Sequence, residues 1–222
     1  DYDFEGSNLS IIIDALAYNT YITAYNTNMA ANECFLDSAT LRENVVALAR
    51  NIGYVPRSRR AARARVSFNV SGLTDTSTLT LNAGLVCNGI GRNSNFIFSI
   101  PESITVPVNN GFAEFNNIEI YEGTFVAQSF TVQSSLSNQK FILDNSFIDT
   151  STIKVSVRSS ESSTSSVTYK QIDNIIGITS TSNSYLLQEI EDERYELIFG
   201  DNVIAKKLEN NNFIIASYIT SA

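Results

Sequence analysis

Histidine and tryptophan are absent from this 222-residue chain, methionine occurs once, proline three times, and cysteine only at Cys34 and Cys87. Without histidine there is no Ser-His or Cys-His pair, no His-ligated zinc and no imidazole proton shuttle. Two cysteines so far apart make neither a CxxC metal knuckle nor a disulfide framework, and free, buried thiols in reducing surroundings are expected. No apolar run approaches a membrane-spanning length, and the start does not resemble a signal peptide. Most common enzyme plans are thereby removed. The expectation is a non-enzyme with no catalytic, cofactor-binding or metal-binding residues.

What is present is enough for a core. Hydrophobic residues make up 43% and charged residues 17%, which is too apolar for a disordered chain and enough for one large or two small domains. The chain opens on Asp1 and stops at Ala222 just after an apolar run, and so reads as a piece of something longer. The net charge of −8 is uneven. Residues 1–65 carry seven arginines against seven acids, so the whole deficit lies in residues 66–222. From Arg50 to Arg65 there are six arginines and no acid, a basic junction between two differently patterned parts.

Ahead of that junction the pattern is helical. Gly6-Ser7-Asn8 is a start signal, with Ser7 or Asn8 able to accept from the first free amides. Leu9 to Tyr25 has no Gly or Pro and places Leu9, Ile12, Ile13, Leu16 and Ala17 on one face. Ile11, Ala15, Tyr18, Ile22 and Tyr25 cover much of the other. A helix apolar nearly all round must be buried on nearly all sides, by the β region or, on our reading, by another chain. A second helix is marked by the capping-box spacing of Thr40-Leu41-Arg42-Glu43, with Asp37 or Ser38 as alternative caps. Its seam is Leu41, Val45, Leu48 and Ile52, and Gly53 and Pro56 end it.

From Ala64 onward the period falls to two. Ala64, Val66, Phe68 and Val70 alternate with polar residues. Similar runs recur at 78–81, 96–100, 104–108, 118–121, 125–132, 140–143, 153–157, 184–188, 194–199 and 213–219. Asn, Gly, Ser and Asp separate them. The fold class read from this is α+β: an N-terminal helical segment of two main helices, then an antiparallel β-rich region, a sandwich or partly open barrel. The polar stretch Ser159 to Ser166 is a mobile loop or a boundary. The expected division is 1–62 helical docking segment, 63–158 β-rich domain and 159–222 second β subdomain, continuing beyond Ala222.

Four constellations could carry chemistry or binding. Arg57, Arg59, Arg60, Arg63 and Arg65 have the charge to contact nucleic-acid phosphates, but the chain is acidic and no aromatics interleave with them. Docking to an acidic partner surface, or a solvated linker, remain open for them, and no nucleic-acid partner is expected. Glu189, Glu191, Asp192, Glu193 and Glu196 lack the DxDxDG loop that would converge oxygens on a cation, so a solvated edge or turn is expected. Gly89-Ile90-Gly91 lacks the third glycine and following helix of a phosphate loop. In Phe199-Gly200-Asp201-Asn202-Val203, Gly-Asp-Asn supplies the positive-φ residues of a tight turn between 197–199 and 203–204.

Two stretches resemble a known family. Phe4 to Ala64 opens F-x-GSNL, continues DALAYNTYITAYNTNMAANECFLDSATLRENV and closes NIGYVPRSRRAARA. Tyr195 to Thr220, YELIFGDNVIAKKLENNNFIIASYIT, carries an FGD hairpin and following strand. Both are similar to the baseplate wedge proteins of contractile-tailed bacteriophages, related to the wider baseplate J-like group, and together they cover about two-fifths of the chain. The family's turn usually reads Gly-Asp-Gly, whereas Asn202 stands third here. Asn tolerates the same conformation.

The resemblance implies a structural virion protein in the tail baseplate, assembled in the bacterial cytoplasm. It also implies that copies pair within a wedge, link into a ring around the hub, and rearrange on sheath contraction. The N-terminal helices would bundle with other wedge proteins, without membrane insertion. Leu9, Ile12, Ile13, Leu16 and Tyr18 would be partner-facing anchors. Leu41, Val45, Leu48 and Ile52 would hold the second helix, and Arg57, Arg59 and Arg60 would dock or orient the junction. For each apolar residue an ordinary intrachain core is the competing account. Two other classes stay open: a host-surface or glycan-binding tail module, since Asn-, Ser- and Tyr-rich sheets suit sugar contacts, and a carboxylate-dependent hydrolase of cell-wall polymers.

Overall fold

The change of period at the arginine-rich junction is where the folded chain passes from helix to strand. The computed structural model describes residues 8–51, 54, 58–91, 94–172 and 177–221. The chain divides into two units, Asp1–Pro56 and Arg57–Ala222. The first carries α1 (Asn8–Glu33) and α2 (Arg42–Asn51). α1 runs past the expected Tyr25 because Asn26 to Glu33 holds no Gly or Pro to stop it, although its apolar pattern is thin. Ser7, Gly53 and Pro56, expected to mark helix ends, lie outside the described residues.

The second unit contains two sheets. β1 (Arg63–Ser71), β2 (Thr78–Leu81), β3 (Gly84–Gly91), β4 (Ser94–Ile100), β5 (Ile104–Asn109) and β6 (Phe112–Glu122) make the first. Their order is β2-β5-β6-β4-β3, with β1 also on β6. β1 and β6 pair from Arg63↔Tyr121 to Ser71↔Phe112, with a register shift between Val66 and Phe68. Asn117 takes a φ of 55° there, and its amide donates to Ser67 Oγ at 2.9 Å, so the bulge leaves that donor satisfied. Ile100, Ala113, Phe115, Ile118 and Ile120 form this sheet's core, with Phe68 stacked on Phe115 at 4.9 Å between centroids.

After Gly123 the chain enters the second sheet. It consists of β7 (Thr124–Thr131), β8 (Phe141–Leu143), β9 (Ile148–Arg158), β10 (Ser166–Gln171), β11 (Ser184–Glu189), β12 (Tyr195–Phe199) and β13 (Phe213–Thr220). The order is β7-β13-β9-β10-β11-β12-β8, antiparallel throughout except for β10 and β11. Every strand sends side chains into one core that includes Phe141, Leu143, Val155, Tyr169, Tyr185, Leu197, Ile214 and Tyr218.

The outer strands of this sheet, β7 and β8, are joined by side chains. Gln128 Nε2 donates to Ile142 O at 3.0 Å, and Asp144 N donates to Gln128 Oε1 at 3.3 Å. Gln139 does the same nearby, donating to Thr131 O at 2.7 Å and accepting from Gln133 N at 2.8 Å. The two glutamine amides imitate a strand's N–H and C=O, which leaves a nearly closed barrel with its seam satisfied.

The α+β class and the antiparallel character are as read from the sequence. Two strands were not anticipated. β3 is rich in glycine, and a Cβ on Gly89 would lie 3.0 Å from the Phe98 ring, so the neighbouring aromatic occupies the space a side chain would take. β10 buries only Tyr169, too little to show alternation. The boundary expected near residue 159 falls between β9 and β10, which pair within one sheet. Gly200-Asp201-Asn202 does hold a positive φ, 74° at Asn202, but Val203 and Ile204 form no return strand. Asp201 Oδ1 accepts from Val203 N and Ile204 N at 2.8 and 2.9 Å, which curls the chain into a loop, and these amides hold the Asp201 carboxyl below its usual range. The chain next forms a strand at β13, which pairs with β7 and β9, not with β12.

Candidate functional site

α1 is about 39 Å long at 1.5 Å per residue, and its only charged residues are Asp14 and Glu33. Leu9, Ile12, Ile13, Leu16 and Tyr18 are all exposed, Leu16 at 60% and Tyr18 at 69%. Ile11, Tyr21 and Tyr25, at other angles around the same helix, are exposed as well. Further along, Thr20, Thr23 and Thr27 each donate their hydroxyl to the carbonyl four residues back, at 2.8 Å. Those hydroxyls are spent on the helix's own backbone, so the threonines add little demand for water to this half. The result is a long helix whose apolar side chains are mostly uncovered.

α2 differs from the expected seam. Val46 and Ala49 are its buried residues, Val45 and Leu48 are half-buried, and Leu41 is exposed. Ile52 lies outside the described residues. The N-terminus of α2 is capped from α1: Glu33 Oε1 accepts from Thr40 N at 2.9 Å and from Thr40 Oγ1 at 2.7 Å. Leu41 N donates to both Glu33 oxygens at 3.3 Å, and Asn44 Nδ2 donates to Oε2 at 2.8 Å. The Asn44 amide first, then the Thr40 hydroxyl and amide and the Leu41 amide, hold the Glu33 carboxyl at about 2, against an ordinary 4.5. One carboxylate thus satisfies orphan amides at a helix start and joins the two helices.

A testable consequence follows from that sign. A carboxyl with a lowered folded-state pKa stabilises the turn above its ordinary value and loses that contribution as the pH falls through 4.5 toward about 2. Amide exchange at Thr40 and Leu41, corrected for intrinsic rates, should accelerate over that window. Glu33→Ala should show the accelerated rate already at neutral pH. Unchanged protection in the variant would refute the clasp.

At the junction, Arg57 is outside the described residues and Arg60 is exposed. Arg59 lies with its guanidinium 4.4 Å from the Phe147 ring centroid and its Nε 3.8 Å from Glu193 Oε2. Ser58 Oγ accepts from Thr150 N at 2.9 Å and shares a 2.8 Å contact with Thr150 Oγ1. Ala61 N donates to the buried Asp149 Oδ2 at 2.9 Å, and Glu122 N donates to Ala62 O at 2.7 Å. Residues 58–62 are therefore strapped along the second unit. Arg63 sits 3.4 Å from Glu119, and Arg65 is exposed.

Other candidates resolve simply. Cys34 and Cys87 are free, as expected, but exposed and not buried. Cys34 follows directly on the exposed end of α1, and Cys87 points outward from the glycine-rich β3. Of the acidic run, Glu189 is buried in β11, contrary to the expected solvated edge, because it occupies an inward strand position. Glu191–Glu193 form a tight turn in which Asp192 and Glu193 take positive φ, 61° and 56°. Among the described residues no group of His, Cys, Asp or Glu could hold a metal ion, and no helix is long and apolar enough to cross a membrane. Gly89-Ile90-Gly91 lies within β3. The residues that sequence patterns missed are Glu33, Asp149 and Gln128, whose partners are remote along the chain.

Residues 1–54, which hold both helices, match the family model described as baseplate wedge protein gp6-like, helical domain. The similarity to baseplate wedge proteins read from the sequence motifs is borne out by that match.

The chain is also similar to baseplate wedge protein gp6 of Enterobacteria phage T4, 27% identical over 222 residues. The alignment covers 99% of this chain and 32% of that protein, so the chain spans about a third of the relative it matches.

Proposed function

We propose that this chain is a structural part of the baseplate wedge of a contractile phage tail, working by assembly and without catalysis. The observation that carries the proposal is α1, a 26-residue helix with exposed Leu, Ile and Tyr around its circumference, inside the segment that matches the wedge helical domain. Exposed apolar area of this kind favours burial against a partner. In this reading residues 1–62 are the docking segment. Leu9, Ile12, Ile13, Leu16 and Tyr18 meet helices of other wedge proteins, and Leu41, Val45, Leu48 and Ile52 support the second helix. Arg57, Arg59 and Arg60 orient the junction, Arg59 through the strap on Phe147 and Glu193. Two copies pair within each wedge, wedges join into a ring around the hub, and the ring rearranges when the sheath contracts. The protein assembles in the bacterial cytoplasm and resides in the virion.

Native mass measurement of the chain, alone and co-expressed with the other wedge proteins of its phage, tests this. The expected result is a dimer that enters a discrete hetero-complex through residues 1–62. A monomer that ignores every tail protein would overturn it.

A further inference from the structure

We infer that a cleft between the two sheets of the second unit is a binding site for a neutral saccharide. The cleft has a volume of about 360 Å³, and Asn95, Phe96, Glu122, Thr124, Asn145 and Phe147 are among its lining residues. That volume lies in the range of small-molecule sites. It sits where the chain crosses from β6 to β7, between the start of β4, the β8–β9 loop and the end of β13.

The chemistry of the lining selects the ligand. Phe96 and Phe147 are 40% and 46% exposed, offering aromatic surface against which the C–H face of a sugar ring can rest. Two carboxamides, the Thr124 hydroxyl and the Glu122 carboxylate supply both donors and acceptors, matching sugar hydroxyls that do both. No Lys or Arg is among the described residues that line the cleft, and the Glu122 carboxylate there disfavours a phosphate or an acidic sugar.

Two of the lining side chains are held from behind. Asn145 Nδ2 donates to Tyr218 Oη at 2.8 Å, and that hydroxyl donates to Gln128 Oε1 at 3.3 Å, which orients the amide. Phe147 is held by the Arg59 guanidinium. Groups already ordered in the free protein lose less freedom on binding. An apolar peptide, the other candidate occupant, would leave the two amides and the carboxylate without partners.

The test uses the whole 222-residue chain, labelled with ¹⁵N, against cellobiose, maltose and di-N-acetylchitobiose, with digalacturonate as the anionic comparison. The expected result is saturation transfer to at least one neutral disaccharide, with shifts in the Asn95 and Asn145 side-chain amides and a Kd of about 1 mM. Digalacturonate should bind more weakly. Asn145→Ala should weaken binding by about tenfold or more, as should Phe96→Leu, which leaves the Arg59 contact intact. Absence of binding by all three neutral sugars overturns the inference, as does binding unchanged by both substitutions, or occupation of the cleft by an apolar peptide in place of sugar. Wedge assembly is a separate readout and neither supports nor sinks this site.

Discussion

Ile12→Asp with Leu16→Asp is expected to abolish entry into a wedge complex while the strands stay folded. Both side chains are more than half exposed in the chain by itself, so the new carboxylates meet water and not a core. The intrachain cost is helix propensity, about 0.5 kcal/mol per position. At a partner interface the same change removes two apolar anchors worth about 2 kcal/mol each, a loss of about a thousandfold in affinity before the desolvation of the acids is counted. Pull-down against wedge partners reads the binding. Far-UV circular dichroism and the urea midpoint read the fold. Normal assembly by the double variant would sink the docking role of this helix, and loss of the β fold would return these residues to an intrachain core.

Gly123→Ala is expected to be strongly destabilising although it adds only one methyl group. Gly123 has a φ of 134°, and an added Cβ would lie 2.3 Å from Thr220 O and 2.8 Å from Ile219 Cγ2. Its own groups are committed as well: its amide donates to Ile97 O at 2.7 Å, and Ser99 Oγ donates to its carbonyl at 2.8 Å. The residue is the crossing between the two sheets, so relief of the clash must shift β13 against β7 or break those bonds. The expected loss is about 3–4 kcal/mol, a large share of a domain's stability. Gly177→Ala is the control. There φ is also positive, at 83°, but among the described residues no atom lies within 4 Å of the added Cβ, so only the backbone preference of about 1 kcal/mol is lost. With no tryptophan in the chain, near-ultraviolet dichroism of the ten tyrosines is the signal to follow during urea unfolding. Equal midpoints for the two variants would refute the steric account.

The saccharide cleft and the docking helix draw on different residues. α1 owes its role to uncovered Leu, Ile and Tyr, whereas the cleft depends on Phe96, Asn145 and Phe147 in the β region. Each can fail without the other.

The helix-to-strand order, the α+β class, the lack of His-based chemistry and the apolar girth of α1 are all legible in the residues alone. These are local properties: periods of 3.6 and 2, and the residue types a site requires, are visible within a few positions. Asn202 was likewise legible as a positive-φ residue because a turn imposes that geometry on its own sequence. Folding in three dimensions was needed to show that the sheet changes at Gly123, that Glu33 caps the next helix, that Asp149 and Thr150 strap residues 58–61, and that glutamines bridge the barrel seam. Ser58 and Thr150 are 92 positions apart and Gln128 and Ile142 are 14 apart. A polar side chain whose partner is brought to it by other strands carries no period, so its role exists only once the chain has folded.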